Sequence, residues 1–267
     1  MEVKVPKHTS DWIAFKDFLT ELIGITTELL QSLHGKRIDH EYQRVFFKFL
    51  ERFHLNFVAV RKIWKEFLIN SKFKHPIYLL LRSLISDTIT MLYLADGLKF
   101  HKSTLEPVET EFRNRYIRVS NSYFTRIERE IEKQIAAKKL RPKERERFLS
   151  TEREFYPDHF HEGKKVRVKK IANLDPGSLT KHIERSEFKK LAGIYVYYFY
   201  FSQFEHFTVK TEELFSNKRE GEFEMLIGAT SYLIRGLLVN VAIMKVDKAM
   251  SNKLSNLIRR FKEQFVK

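Results

Sequence analysis

The chain has 267 residues, 43% of them apolar, with only nine glycines and six prolines, a balance that can bury a large core and disfavours a turn-rich β-sandwich. Cysteine is absent, which excludes a disulfide framework, thiolate chemistry and cysteine-ligated zinc, and fits a reducing, cytoplasmic setting. Forty-nine basic against 34 acidic residues give a formal charge of +15, which favours polyanionic partners or reflects a generally basic proteome background.

The amino terminus, MEVKVPKHTSDW, has no apolar stretch of signal-peptide type, so secretion is not expected. A first helix is predicted from Asp11 to Leu33, with Phe15, Phe18, Leu19, Leu22, Ile25 and Leu29 as its apolar stripe and Gly35 as its stop. A second runs from Asp39 to about Ser71. Phe46, Phe49, Leu50, Phe53, Phe57, Val60, Trp64, Phe67 and Leu68 keep helical spacing there and mark a core face. With 24 Phe against two Trp, phenylalanine reads as interior filler.

Pro76 suits the first turn of a third helix, ending near Leu98, in which Arg82, Ser83, Ser86 and Asp87 interrupt an otherwise apolar surface. Arg82 in that setting should be paired or exposed. Residues 106–140 read as a charged helix with a narrow stripe through Phe112, Tyr116, Val119, Tyr123, Ile127, Ile131 and Ile135; a shorter helix, 143–155, follows Pro142. Together they suggest an arm, 106–156, protruding from a single all-helical domain that spans 1–267.

Residues 157–178 form the one long irregular stretch. It carries the basic run KKVRVKK, in which Val166 and Val168 alternate with charges as in an exposed strand or extended arm, and the turn signal DPGS. Residues 111–190 hold 22 basic and 13 acidic side chains, so +9 of the net charge lies in this middle region. A helix over 186–208 is predicted next, placing Tyr195, Tyr198, Ser202 and His206 along one face. Two more follow, at 222–246 and 249–265. The stretch 225–244 is long enough to span a bilayer, but Arg235 at its centre would cost about 2.5–3.5 kcal/mol on insertion, so a buried core helix and no membrane span are expected. The predicted fold class is all-α, a multi-helix bundle of long antiparallel helices with one basic irregular segment.

Glycine-rich phosphate loops, HExxH, EF-hand loops and the serine elbow are absent from the sequence, and no metal or cofactor is expected. Three weaker constellations remain. Tyr198, Ser202 and His206 could face Arg82 and Asp87, an arrangement that suits a general base beside a phosphate-binding charge or, more simply, a hydrogen-bonded anchor in an aromatic core. His159 and His161, with Asp158 and Glu162, could share a metal or belong to a solvated loop. Arg153 precedes His159 by six residues.

The long helices, the RSL element at Arg82–Leu84 and the aromatic helix ending YFYFSQFEH resemble bacterial helical families of unknown function related to the HEPN superfamily, over residues 40–100 and 186–246. The resemblance implies a helical bundle, a defence or toxin role, a homodimer and, in active members, metal-independent RNA cleavage by an arginine and a histidine with four to six residues between them. Here Arg153 and His159 meet that spacing with Pro157 between them, whereas no arginine precedes His206 at that distance. Two expectations follow. The first is nucleic-acid binding, with RNA favoured, through Lys164, Lys165, Arg167, Lys169 and Lys170. The second is a HEPN-like endoribonuclease using His206 with Arg82 or His159 with Arg153. A helical interaction scaffold without catalysis is the third reading.

Overall fold

The structure is a computed structural model that describes residues 9–36, 38–69, 73–98, 105–163, 166–170, 174–204 and 221–266. Among these the chain forms nine α-helices and no strand longer than an isolated bridge. They are α1 (Thr9–Leu33), α2 (Glu41–Ile69), α3 (Lys74–Gly97), α4 (Leu105–Ala136), α5 (Pro142–Phe155), α6 (Pro176–Ile183), α7 (Ile194–Ser202), α8 (Glu222–Ile243) and α9 (Lys248–Phe265). The fold is thus an all-α helical bundle. The chain divides into two compact units: Met1–Asp96 together with Thr180–Lys267, and the intervening Gly97–Leu179.

In the first unit the apolar periods do the work anticipated for them. Phe15, Phe18, Leu19, Leu22, Ile25 and Leu29 of α1 are all buried, as are Phe46, Leu50, Phe53, Phe57, Val60 and Trp64 of α2. The two helices pack on each other, α1 also packs on α9, and α2 and α9 pack on α8. Gly35, with φ of +79°, takes the left-handed conformation that stops α1. Aromatic rings knit one end of the bundle. Trp12 lies 5.5 Å from Trp64 and 4.7 Å from Phe223, and the Trp64 indole donates to the Trp12 carbonyl at 3.2 Å.

Helices α3 and α8 are long and apolar enough by composition to cross a membrane, but most of each apolar window is buried among neighbouring helices. Asn240 of α8 ties three helices together by donating from Nδ2 to the Phe46 carbonyl of α2 at 2.9 Å and approaching Met91 Sδ of α3 at 3.5 Å. Gly236 permits that approach: a Cβ there would lie 2.6 Å from the Thr88 methyl. Lys74 and Glu222 form an ion pair at 3.0 Å with side chains only 5% and 14% exposed, and Tyr78 beside them has its hydroxyl pKa pushed up, first by burial and then by the charge of Glu222.

The helix expected from Ser186 begins instead at Ile194. The Ser186 hydroxyl bonds the Ile183 carbonyl at 2.8 Å and accepts the Phe188 N–H at 3.0 Å, so the side chain closes off α6 and diverts the backbone into a 3₁₀ turn, Lys189–Leu191. α6 itself begins within the last three residues, 176–178, of the segment expected to be irregular. Asp175 starts it, its carboxylate accepting the Ser178 N–H at 2.7 Å, with Pro176 in the first turn.

The unit Gly97–Leu179 has its own small core of Phe124, Leu149, Phe160, Val166 and Val168, with Ile131 packed against it. The valines read as an exposed alternation are therefore interior. Phe160 bridges Val168 in antiparallel fashion, with His161 N donating to the Arg167 carbonyl at 2.9 Å and Lys169 N to the His159 carbonyl at 2.8 Å. Arg145 of α5 clamps this hairpin to α4, bonding Glu128 Oε1 at 2.6 Å and the Val166 carbonyl at 3.3 Å. Along α4 the inward residue is Phe124; Tyr123, assigned to the stripe from its spacing, is 57% exposed.

Candidate functional site

Arg82 projects from the half-buried face of α3 toward α7. Its Nε donates to Ser202 Oγ at 3.0 Å and its Nη2 to the Tyr198 hydroxyl at 3.3 Å, and its guanidinium carbon stands 5.3 Å from the centre of the Tyr198 ring. Ser202 in turn donates to the Tyr198 carbonyl at 2.7 Å, and Tyr195 stacks on Tyr198 at 5.8 Å between centroids. Three of the residues read from sequence as a site, Arg82, Tyr198 and Ser202, are thus brought together across 120 positions of chain. The fourth, His206, lies outside the described residues. Asp87, expected beside Arg82, is turned the other way: its Oδ2 lies 2.9 Å from Arg52 Nε of α2. That contact is an ion pair by distance but misses hydrogen-bond alignment, and burial outweighs the cation, pushing the Asp87 carboxyl up to about 6.

His159 and Arg153 have separate partners. His159 is 4% exposed, against the solvated-loop expectation, with Nε2 3.2 Å from Ser120 Oγ, Nδ1 3.4 Å from Asn121 Oδ1 and its ring 4.5 Å from that of Phe124. Burial holds its pKa below the ordinary histidine value. Arg153 Nη1 donates to the Gly163 carbonyl at 2.9 Å. His161 is exposed, and among the described residues no group of three His, Asp or Glu side chains is placed to hold a metal ion.

Of the five cations assigned to polyanion contact, Lys164 and Lys165 lie outside the described residues. Arg167 and Lys170 are exposed and Lys169 is half-buried, its backbone carbonyl accepting Asn121 Nδ2 of α4 at 2.9 Å. Arg167 and Lys170 border an open hollow of about 1220 Å³ whose wall also carries Glu128, Glu132, Glu146 and Glu162. Those carboxylates make the hollow itself unsuited to a phosphate chain.

A second set of cations was less evident from the sequence. Arg118, Arg126 and Arg129 stand at i, i+8 and i+11 on α4, within about 80° of one another around the helix and opposite the core-facing Phe124, Ile127 and Ile131. All three are exposed, and among the described residues neither an ion pair nor a hydrogen bond engages their side chains. Other cations of the unit are neutralised, such as Arg113 by Asp158 at 2.5 Å and Arg115 by Glu111 at 2.8 Å. The signal that could have found the arginine row was its spacing, hidden among acids that turn out to pair elsewhere. Family models, curated proteins and solved structures give no match to this chain.

Proposed function

We propose that this is a cytoplasmic nucleic-acid-binding protein, with RNA as its partner, and that the unit Gly97–Leu179 carries the binding. The observation that carries this reading is the row of unengaged arginines Arg118, Arg126 and Arg129 on one face of α4, in a unit that also presents Arg167, Lys169 and Lys170. Cations without internal carboxylate partners have no ion pair to break on meeting a phosphate, and counterion release from the polyanion drives the contact. Fluorescence anisotropy with a generic RNA at low and moderate salt tests it. Binding should weaken steeply with salt. Replacing Lys164, Lys165, Arg167, Lys169 and Lys170 by Gln, or the three α4 arginines by Gln, should each lower affinity and flatten the salt dependence. Absence of binding at low salt, or indifference to both sets, refutes the reading.

The Arg82 cluster favours a second reading, a HEPN-like, metal-independent endoribonuclease of a defence or toxin system acting as a homodimer. A guanidinium fixed by Ser202 and Tyr198 is preorganised for a scissile phosphate, and His206 four residues beyond Ser202 is the candidate for proton transfer. Cleavage should then survive EDTA and leave cyclic or 3′-phosphate ends. It should disappear in Arg82→Ala and His206→Ala; folded variants that cut RNA like the parent, or a parent that cuts none, remove this reading.

A further inference from the structure

Beside the arginine row the same unit exposes a run of aromatic rings. Tyr123 is 57% exposed, Phe155 72% and Tyr156 50%. They are linked through the buried ring of Phe124: Tyr123 lies 5.2 Å from it, Tyr156 lies 5.4 Å from it, and Phe155 stands 6.5 Å from Tyr156. Phe148, 42% exposed and seven residues before Phe155 on α5, shares the Phe155 face. Scattered single aromatics need no explanation; several joined on one small unit mark a surface that something covers.

Charge says what. Tyr123 is followed three residues later on α4 by the unengaged Arg126, so ring and cation are neighbours on the helix. The basic segment Arg167–Lys170 is fastened to the same turn of α4, where Asn121 holds the Lys169 carbonyl. A second copy docking by a two-fold contact centred on Tyr123 and Arg126 would set those arginines against each other, whereas a polyanion meets both needs.

We propose that this surface takes single-stranded RNA in preference to duplex, its bases stacking on Tyr123, Tyr156 and Phe155 while Arg126 and its neighbours hold the phosphates; the inference rests on the RNA-binding reading above. Every base has a π-face that an aromatic ring can cover, and only an unpaired strand can turn those faces outward; a duplex keeps them stacked internally. Firmly supported rings suit this task, and Tyr123 and Tyr156 are both backed by Phe124.

Anisotropy with a short labelled oligouridylate and with an RNA duplex of equal length, on the full chain, separates the possibilities. The parent should prefer the single strand. Tyr123→Ala and Phe155→Ala should each weaken single-strand binding roughly 5- to 100-fold with the salt slope unchanged and duplex binding untouched. Tyr123→Trp should restore stacking, and Phe155→Ala, altering the most exposed ring, keeps the test independent of folding. Arg126→Gln with Arg129→Gln should instead lower both affinities and reduce the salt slope by about one per arginine. Alanine variants that bind the single strand like the parent, while the arginine variants fail, overturn the stacking proposal and leave RNA binding standing. A parent that binds neither probe overturns the underlying reading. A parent that sediments as a dimer and becomes a monomer on Phe155→Ala also overturns the proposal, because the patch is then an interface between copies.

Discussion

Arg82 of α3 donates from Nε to the hydroxyl of Ser202 at the end of α7 over 3.0 Å, which makes an arginine within an apolar helix a fixed part of the first unit. Removing it should cost stability as well as any chemistry. Arg82→Ala strands two acceptors and the Tyr198 ring, and a loss of about 1–3 kcal/mol is expected; Ser202→Ala should cost about 1 kcal/mol. Urea unfolding followed by tryptophan fluorescence reads both, because Trp12 and Trp64, the two tryptophans of the chain, lie in this unit. Equal midpoints for parent and both variants would show that the hydrogen bond contributes nothing.

Lys74 and Glu222 present a different case. Both side chains are nearly sealed, so Glu222→Ala removes the carboxylate paired with a buried ammonium and should destabilise by about 3–5 kcal/mol. The double change Lys74→Met with Glu222→Leu should recover most of the loss, since a well-packed apolar pair often replaces a buried ion pair at little cost. A double-mutant cycle checks it; a double variant as unstable as Glu222→Ala would mean that packing rather than charge governs the site.

Close approach at Gly236 gives a test of packing. Gly236→Ala places a Cβ 2.6 Å from the Thr88 methyl, and overpacking of this kind costs about 1–3 kcal/mol. Thr88→Ser removes that methyl while its hydroxyl can still bond the Leu84 carbonyl, now reached by Thr88 at 2.8 Å. Gly236→Ala should therefore be rescued by Thr88→Ser, and thermal unfolding that shows no rescue would place the strain elsewhere.

Asp87 and His159 should contribute proton linkage of opposite sign. The Asp87 carboxyl titrates near 6 in the fold against about 3.8 unfolded, so the folded state holds the extra proton between those values. The Asp87 contribution to stability is then greatest at the acid end and falls by up to about 3 kcal/mol as pH rises from roughly 4 to 6, levelling above, while His54 and His75 of the same unit, whose pKa values burial lowers, act in the opposite direction. Asp87→Asn should remove that contribution, read as the difference from the parent in the tryptophan signal. His159 is held neutral by burial, so the unfolded chain takes up the proton and the unit Gly97–Leu179 loses stability as pH falls below about 6.5. Amide exchange of α5 should accelerate, beyond its intrinsic pH dependence, on that side; an Asp87→Asn variant whose stability follows pH as the parent's does, or α5 exchange that shows only its intrinsic pH dependence, would contradict these assignments.

The helices were legible because their apolar periods are long: α1 buries the residues that the spacing marks and α2 buries six of its nine, leaving Phe49, Phe67 and Leu68 half-buried, since a face repeated over several turns leaves one solution. Local side-chain bonds were not. Ser186 ends α6 and breaks a helix that apolar content alone would continue, and Asp175 starts one inside a stretch rich in turn residues. On α4, Tyr123 and Phe124 are adjacent aromatics, and only the hairpin carrying Phe160, Val166 and Val168 decides which one turns inward. The Arg82–Ser202–Tyr198 meeting was foreseeable from residue types sharing a helix face, whereas the α4 arginine row required knowing which acids were already engaged.

The most direct test of RNA binding by the middle unit is hydrogen–deuterium exchange of the full chain with and without single-stranded RNA at low salt. RNA held by the middle unit should add protection concentrated on α4 around Arg118–Arg129 and on Tyr156–Lys170, reversed by raising the salt. Protection confined to α3 and α7, or none anywhere at saturating RNA, would contradict it.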